Sequence, residues 1–260
     1  MDNIKLSVIT VTFNNQKNIK DYLDSLLKNL PKGSEIIIYD NHSTDRTVKL
    51  IEKQKSILLI EGSENLGFSK ANNLVVRQSK GEYLLFLNPD TRVLDDAINR
   101  LLSFARGHQD CGIVAPKLIQ PDGNIQPSVR KLPSIWGAFK EYFLGIKGSF
   151  EEYVTENNDP ISVETVVGAV MLIKREIFNK VGGFDEKYFL YFEDLQLCKD
   201  IREIGLKVYY LPTAKVSHQV GGSSSENKLK WLKESAVKYH GSLNNFILNL
   251  VLRIGSIVKS

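Results

Sequence analysis

The chain has 260 residues, of which 42% are hydrophobic and 25% charged, so it can bury one large α/β domain or two small ones and is neither disordered nor fibrous. The net charge of +4, spread along the chain without a block of lysine and arginine, suits an anionic ligand or a membrane surface and gives no sign of nucleic-acid binding. Two distant cysteines, Cys111 and Cys198, argue against a disulfide framework or a zinc site and favour a reducing, cytoplasmic compartment.

Strand-like and helical patterns alternate through the first hundred residues. The apolar, β-rich runs cover residues 6–13, 35–40, 57–62 and 82–88, and a helical pattern follows each of them. The first run is an opening strand rather than a signal peptide, because no small-residue cleavage site follows it. This alternation predicts a parallel sheet, and the nearly continuous apolar runs of the second and fourth strands predict helices on both faces.

The second half of the chain begins with an irregular stretch and then returns to regular patterns. Residues 120–159 are rich in proline, glycine and aromatic side chains, which predicts a substrate-facing subdomain rather than a linker. A strand, a helix and a Gly-Gly turn follow from Thr165. Another helix begins at the acidic pair Glu193-Asp194 and stops at Gly205, and the final strand comes next, with His218 just beyond it.

Polar residues follow each strand of the first half. The apolar run 83–87 stops at Asn88-Pro89-Asp90, since a proline cannot donate to a strand ladder and a carboxylate is costly to bury. The earlier strands end in Thr12 and Asn14, in Asp40 and Asn41, and in Glu61 and Asn65. Because the carboxyl ends of parallel strands line one crevice in an open sheet, these residues are predicted to surround one ligand site.

Two loops of this crevice each have a functional and a structural interpretation. Asp40 could accept the N–H of a nucleobase, or its loop, with Ser43 and Asp45, could simply cap the next helix. In the segment ENLGFSKANN, Gly67 allows a close backbone approach, and Asn72 begins a helix whose N-terminal N–H groups favour a phosphate. A glycine turn with asparagine caps explains the same segment.

The remaining candidates are two acids and a histidine. Asp90, at a strand end, is a natural ligand for Mg²⁺ or Mn²⁺, and His218 becomes a candidate further ligand if it shares the crevice. On a helix, Glu193 and Asp194 point about 100° apart, so at most one of them faces the reacting atoms. A carboxylate in this apolar context is a candidate general base, and a plain N-cap is the alternative.

The motifs together resemble a known family. They are LSVITVTFNN, YDNHSTDRT, ENLGFSKANN, GEYLLFLNPDT, VVGAVMLIKREIFNKVGGFDEKYFLYFEDLQLC, GLKVYYLP and SHQVGGSS. In this order they resemble family 2 inverting glycosyltransferases, in the rhamnosyltransferase-like branch of bacterial polysaccharide assembly. The resemblance implies a GT-A fold with a Rossmann-like, mostly parallel sheet over residues 1–225. It assigns nucleotide-sugar binding to 1–110 and acceptor binding with catalysis to 111–225, and leaves 226–260 as a helical tail.

The resemblance also implies roles for individual residues. Those it assigns to donor binding are Thr12, Asn14, Asp40, Asn65, Gly67, Asn72 and Asn88. Asp40 would read the base, and Asp90 and His218 would hold Mg²⁺ or Mn²⁺. Asp194 would deprotonate the acceptor hydroxyl, with Glu193 beside it as a positioning partner.

The implied reaction moves a sugar from a nucleoside diphosphate to a hydroxyl group. Rhamnose from dTDP-rhamnose is the first expectation for the donor and a UDP-sugar the second, and the acceptor is a saccharide or a lipid-linked saccharide. The implied location is the cytoplasm, at the inner face of the plasma membrane if the tail binds lipid.

Two positions depart from the family pattern. Asn88 stands where many relatives have the first acid of their DXD element, and Gln196 stands where many have a further aspartate. These departures motivate a second hypothesis, a nucleotide-sugar-binding relative with little or no turnover. A dehydrogenase is disfavoured, because TFNNQKN follows the first strand in place of a GxGxxG loop.

The C-terminal tail mixes lysines with the apolar segment 246–258. Asn249, Arg253 and Gly255 interrupt that segment, which is too short and too polar to span a bilayer. An amphipathic helix that lies on a membrane or packs on a partner is one interpretation, and a helix docked on the protein's own core is the other.

Overall fold

The computed structural model describes residues 5–154, 158–219 and 227–259, and a nine-stranded sheet forms its centre. The strands along the chain are β1 (Leu6–Thr12), β2 (Ser34–Asp40), β3 (Ile57–Glu61), β4 (Tyr83–Leu87), β5 (Thr91–Val93), β6 (Cys111–Ile119), β7 (Val129–Arg130), β8 (Ile161–Val163), β9 (Thr165–Val166), β10 (Val170–Lys174) and β11 (Lys207–His218). The order across the sheet is β3-β2-β1-β4-β10-β6-β11-β5, with β8 paired to β11, while β7 and β9 form a separate ribbon. Strands β1, β2, β3, β4, β6 and β11 run in one direction and β5, β8 and β10 run against them, which confirms the mostly parallel sheet.

Helices cover both faces of the sheet, as predicted. They are α1 (Ile19–Lys28), α2 (Thr47–Ile51), α3 (Gly67–Gln78), α4 (Ala97–Gly107), α5 (Ile135–Phe143), α6 (Arg175–Lys180), α7 (Glu193–Glu203), α8 (Lys228–His240) and α9 (Ser242–Lys259). Side chains of β1 alternate between two cores, so Leu6 and Val8 pack with α1, α2 and α4, while Ile9 packs with α3, α6 and α7. Burial on both faces explains the continuous apolar runs.

The strand β4 ends in a turn that redirects the chain. The N–H and hydroxyl of Thr91 donate to the carbonyl oxygen of Asn88 at 3.2 and 2.7 Å, which closes the turn Asn88-Pro89-Asp90-Thr91. The next strand, β5, runs antiparallel to the end of β11 and aligns Thr91 with His218. The turn therefore delivers Asp90 to the neighbourhood of His218.

His218 is the last residue of β11, so the prediction that the strand ends before it was wrong. The sequence suggests a stop at Pro212, but the chain continues through a register shift between Leu211 and Lys215 and then pairs again with β6. A bulge tolerates a proline that a regular ladder would not.

The start of α3 also differs from the prediction. The helix begins at Gly67 rather than at Asn72, which lies buried within it. The side chain of Asn65 accepts the N–H of Gly67 at 2.9 Å, and the carbonyl oxygen of Phe189 accepts the N–H of Phe68 at 2.7 Å. Two of the four free N–H groups at this helix start are thus already bonded within the protein, which weakens the phosphate-binding interpretation.

The irregular segment 120–154 is an ordered part of the fold. The ribbon of β7 and β9 and the helix α5 organise it, and the buried carboxylate of Glu141 accepts N–H groups of Gly148, Phe150 and Glu151. The tail helix α9 packs on α5, where Gly255 lies against the side chain of Tyr142. Of the helices within the described residues, none has both the length and the apolar character needed to cross a bilayer.

Replacing Gly67 by alanine should destabilise the fold by roughly 3 kcal/mol or more. Its φ of +78° disfavours any side chain, and a Cβ atom there would overlap the carbonyl oxygen and ring of Phe189. Gly33 is a matched control, because it has a φ of +75° but open space where a Cβ atom would lie. Gly33→Ala should cost only about 1 kcal/mol in urea unfolding. Equal losses in the two variants would contradict the close packing of Gly67 against Phe189.

Candidate active site

The turn after β4 and the start of α7 meet at the crevice formed by the carboxyl ends of the parallel strands. The N–H of Asn88 donates to the carbonyl oxygen of Ala169 at 2.9 Å. Gly168 precedes Ala169 in the chain, and its N–H donates to Oδ2 of Asp194 at 2.9 Å. These two bonds bring the acid of the β4 turn and the acids of α7, which are far apart in sequence, to the same edge of the sheet.

Asp90 and His218 form a buried pair at this edge. Asp90 Oδ1 lies 3.5 Å from His218 Nε2, and the two side chains are 6% and 10% exposed. Within the described part of the chain, this carboxylate oxygen accepts no hydrogen bond. A buried carboxylate oxygen without a donor is unfavourable, so the arrangement calls for a proton or a cation between the two groups.

Gln126 determines which nitrogen of the His218 ring carries a proton. Gln126 Oε1 lies 2.8 Å from His218 Nδ1, and an amide oxygen can only accept, so Nδ1 carries the proton. In the neutral form of this imidazole the lone pair lies on Nε2, the nitrogen that faces the carboxylate of Asp90. Metal-binding histidines are commonly held in this way by a partner on the other ring nitrogen.

The pair fits part of a divalent cation site. A carboxylate oxygen is a preferred ligand of Mg²⁺ and Mn²⁺, and a neutral imidazole nitrogen can complete the set. In the described ranges no group of three histidine, cysteine, aspartate or glutamate side chains is arranged for a metal ion. Asp90 and His218 would therefore supply only two ligands, and a bound substrate or water would have to supply the others.

The predicted base-reading acid, Asp40, is buried and holds its own loop. Its carboxylate accepts the hydroxyl of Thr12 at 2.9 Å and both the N–H and the hydroxyl of Ser43, at 2.7 and 2.6 Å. Asn14, at a positive φ of 54°, accepts the N–H of Thr44 at 2.8 Å and ties the same loop to β1. A carboxylate has about four acceptor sites, so one remains for a nucleobase N–H. Asp45, by contrast, accepts the N–H of Thr47, the first residue of α2, although the N-cap of that helix is Arg46.

The asparagines near α3 form a connected support. Asn41 accepts the N–H of Leu66 at 2.9 Å and donates to the carbonyl oxygen of Gly67 at 3.1 Å. Asn72 is buried and donates to the carbonyl oxygen of Phe68 at 2.9 Å. Asn65 is half-buried just before α3, whereas Gly67 and Asn72 are buried within that helix.

Glu193 and Asp194 occupy different environments, as their directions on the helix predict. Neither is the N-cap, which is Phe192; both lie in the first turn of α7. Burial raises the pKa of Asp194, and the N–H groups of Gly168 and Leu195 and the charge of Arg130 counteract this effect. Burial and the charge of Asp194 raise the pKa of Glu193 well above its ordinary value, and Glu193 Oε2 has no hydrogen-bond partner within the described residues.

Arg130 and Glu152 are charged residues of the site that sequence reasoning missed. Burial and the charge of Asp194 raise the pKa of Glu152, and the charge of Arg130 lowers it, so these three charged groups interact. Arg130 reaches the site because β7 pairs with β9, just before Gly168. No local motif marks Arg130, Glu152 or Gln126, since each depends on pairing between distant segments. Asp194, rather than Glu193, faces this charged cluster.

The loop before α7 is strained and held from outside. Tyr191 and Phe192 both have positive φ values, 69° and 71°, which are unfavourable for aromatic residues. Helix α8 supports them, because the ring of Phe192 packs on Tyr239 at 5.2 Å and Ser235 Oγ donates to the carbonyl oxygen of Leu190 at 2.8 Å. The loop thus depends on the C-terminal tail.

Gln196, the second departure from the family pattern, has a structural role here. Its amide oxygen accepts the hydroxyl of Tyr188 at 3.3 Å, and its Nε2 donates to Asp200 at 2.7 Å. It links α7 to the loop before that helix.

A mostly parallel sheet of this strand order, with helices on both faces, is that of the GT-A class of α/β folds. The chain belongs to glycosyl transferase family 2, whose family description matches residues 7–182. A second family, described as the N-terminal domain of galactosyltransferase, matches residues 150–220. The family resemblance read from the sequence is confirmed.

Curated relatives include several rhamnosyltransferases. The chain is 28% identical over 240 residues to N-acetylglucosaminyl-diphospho-decaprenol L-rhamnosyltransferase of Mycobacterium tuberculosis, covering 85% of this chain and 78% of that protein. It is 26% identical to rhamnosyltransferase WbbL of Escherichia coli, covering 85% and 88%. It is 25% identical to dTDP-rhamnosyl transferase RfbF of Shigella flexneri, covering 85% and 71%.

Solved structures confirm the fold class. GalNAc-T7, crystallised with UDP, GalNAc and Mn²⁺, matches with a TM-score of 0.69 and 18% identity over 90% of this chain and 48% of that chain. A mannosyltransferase of Pyrobaculum calidifontis in complex with GDP-Man and Mn²⁺ matches with a TM-score of 0.64 and 16% identity over 95% and 64%.

Glu193→Gln should make the stability of the protein less dependent on pH. The folded-state pKa of Glu193 is raised above 4.5, the ordinary pKa of a glutamate. At a pH above 4.5 the native protein therefore still holds a proton that the unfolded chain has released. Stability is therefore lost as the pH rises from about that value through the raised pKa. In urea unfolding, Glu193→Gln should match the parent below pH 4.5 and exceed it by about 1 kcal/mol or more at pH 8.

The exposed residue Glu52 provides the control for this measurement. Glu52→Gln should follow the parent at every pH. A parallel pH dependence for the Glu193 variant and the parent would contradict the burial of an ionisable group at position 193.

Proposed function

We propose that this protein is an inverting glycosyltransferase of cell-surface polysaccharide synthesis. It would move a sugar from a nucleoside diphosphate to a hydroxyl group of a saccharide or lipid-linked saccharide. The observation that carries the proposal is the position of Asp194 at the same sheet edge as the Asp90–His218 pair, through the bonds of Gly168 and Ala169. A base for the acceptor hydroxyl and a pair that can hold a cation beside the leaving diphosphate, on one crevice, are what a single displacement requires.

Asp194 is the proposed base. A sugar hydroxyl is a poor nucleophile unless a carboxylate takes its proton during attack. The raised pKa of Asp194 makes this carboxylate a stronger base than an exposed aspartate, and its two backbone bonds fix its direction. Attack from the face opposite the leaving diphosphate would invert the anomeric carbon. Glu193, buried behind it, would position the helix start.

Asp90 and His218 are the proposed ligands of Mg²⁺ or Mn²⁺. When bound, such a cation would stabilise the charge that grows on the leaving diphosphate. Gln126 would keep the Nε2 lone pair of His218 available, and Asp90 would contribute the one carboxylate of the set. Since the neutral Asn88 stands where an acid is common, cation binding should depend strongly on the diphosphate.

The donor half would lie within residues 1–110 and the acceptor half within 111–225. Asp40 would accept the base N–H at its remaining acceptor site, with Thr12 and Asn14 fixing the loop. Asn65, Gly67 and Asn72 would form the rim and its support.

The proposed donor is dTDP-rhamnose, with UDP-sugars as the alternative. Support comes from relatives named as rhamnosyltransferases, including one named for dTDP-rhamnosyl transfer and one for a diphospho-decaprenol acceptor. The alternative rests on structural neighbours that were crystallised with UDP. A cytoplasmic reaction at the inner face of the membrane is part of this proposal.

Thermal stabilisation by dTDP, UDP, GDP and CDP, each with and without Mn²⁺, tests the donor proposal. A ligand that binds only the folded state adds about 2.7 kcal/mol at a hundredfold excess over Kd, so dTDP or UDP should raise the melting temperature by several degrees. The rise should require Mn²⁺. No shift with any nucleotide would contradict the transferase proposal.

Asp90→Asn should abolish the part of this stabilisation that depends on Mn²⁺, because the only carboxylate of the pair is lost. Asp95→Asn is the control, since Asp95 is exposed and has a positive φ that asparagine tolerates. Unchanged Mn²⁺ dependence in Asp90→Asn would refute the metal role of Asp90.

Asp194→Asn should lower turnover at least a hundredfold while nucleotide binding stays near the parent level. An amide cannot accept the acceptor's proton, yet it can still accept one of the two backbone N–H bonds. Asp200→Asn is the control on the same helix, because asparagine there can still accept the bond from Gln196. Sugar transfer from the donor found above is the measurement.

Comparable turnover in Asp194→Asn and the parent would refute the base assignment. Tight nucleotide binding without transfer of any sugar by the parent would instead favour the non-catalytic relative.

A further inference from the structure

The helix α9 has two apolar faces, and the fold buries only one of them. Leu248 and Gly255 lie on the buried face, which packs on α5. Five apolar side chains of α9 are between 45% and 70% exposed: Leu243, Phe246, Leu250, Ile254 and Ile257. Their spacing of three and four residues aligns them in one stripe along the helix. The tail is thus both docked on its own core and apolar toward the outside.

Neighbouring elements extend this apolar character. Trp136, in the first turn of α5, is 59% exposed, and Leu144 and Ile146 are exposed just beyond the end of that helix. Leu229 and Leu232 are exposed on α8. Soluble surfaces seldom expose so many large apolar side chains on adjoining elements unless they bind something.

The net positive charge of the chain lies in the same segment, contrary to the expectation of an even spread. Residues 227–260 contain six lysines and arginines and one acid, a net charge of +5. The whole chain carries +4, so residues 1–226 carry a net charge of −1. The basic residues are Lys228, Lys230, Lys233, Lys238, Arg253 and Lys259.

We infer that α8 and α9 form a membrane-binding hairpin that lies on the surface of an anionic bilayer. The apolar stripe of α9 would enter the headgroup region, and the lysines of α8 would interact with acidic lipid headgroups. A second copy of this chain fits less well, because joining two such faces would bring two segments of +5 together. A bilayer with negative headgroups instead complements both properties.

The hairpin also contacts the loop before α7. Lys238 Nζ donates to the carbonyl oxygen of Lys187 at 2.7 Å, and the rings of Trp231 and Phe189 lie 4.7 Å apart. A bilayer bound by the hairpin would therefore lie beside the loop that leads to Asp194. Use of a lipid-linked acceptor at this bilayer rests on the proposed function. Lipid binding by the hairpin can be measured without any turnover.

Flotation of the full chain with lipid vesicles tests the inference. The chain should float with vesicles that contain one-fifth phosphatidylglycerol in phosphatidylcholine, and at least tenfold less with phosphatidylcholine alone. Raising the salt concentration should weaken the binding. The double variant Phe246→Ser with Leu250→Ser should bind at least tenfold more weakly and melt at the parent temperature, since both side chains are exposed.

Leu58→Ser is the matched control, because Leu58 is also an exposed apolar residue but lies on the edge strand β3. It should float like the parent. A charge variant, Lys228→Gln with Lys230→Gln and Lys233→Gln, should lose the preference for phosphatidylglycerol. Nucleotide stabilisation measured on the same variants separates a failure of this inference from a failure of the proposed reaction.

Three outcomes would overturn the inference. One is the absence of flotation with either type of vesicle. The second is equal flotation of the parent and the Phe246/Leu250 variant. The third is a lipid-free dimer in light scattering that this variant dissociates, which would assign the stripe to a second copy of the chain.

Discussion

The hydrogen bonds from the N–H of Gly168 to Asp194 and from the N–H of Asn88 to the carbonyl oxygen of Ala169 tie the start of α7 to the turn after β4. The first of them carries the position of Asp194. It depends on β10 running antiparallel between β4 and β6, because only a reversed strand begins at the edge where its parallel neighbours end. Gly168 lies just before that strand, and a Cβ atom there would sit 3.1 Å from Asp194 Cβ. The absence of a side chain at this position therefore lets the start of α7 approach the start of β10.

A second constraint acts on the opposite side of the crevice. The pairing of β5 with the end of β11 forces Asp90 and His218 together in a buried place, although both present acceptor atoms. Gln126 maintains this conflict, because it holds a proton of His218 on Nδ1, the nitrogen away from Asp90. In natural sequences the local choice of residues usually agrees with the fold. A conflict of this kind is expected at a functional site, where a bound ligand resolves it.

Features of the fold that depend on neighbouring residues could be predicted from the sequence, and features that depend on distant segments could not. The first four strands, the helices on both faces and the stop at Asn88-Pro89-Asp90 were predictable, since each depends on hydrophobic period or on the backbone limits of proline. The start of α3 was misplaced because the bond from Phe68 to Phe189 arises from tertiary packing. Arg130, Glu152 and Gln126 were missed because pairing of distant segments brings them to the site.

The tail changes how the loop before α7 is understood. Two left-handed aromatic residues, Tyr191 and Phe192, cost of order 1–3 kcal/mol each, and an isolated loop would relax. Packing of Phe192 on Tyr239, with the bond from Ser235 to Leu190, offsets that cost, so α8 maintains the approach to Asp194. The same helix carries lysines that would meet acidic lipids. Attachment to a bilayer and the shape of the loop before α7 would then be coupled through one helix, because a displacement of α8 on binding would act on its contacts with Phe192 and Leu190.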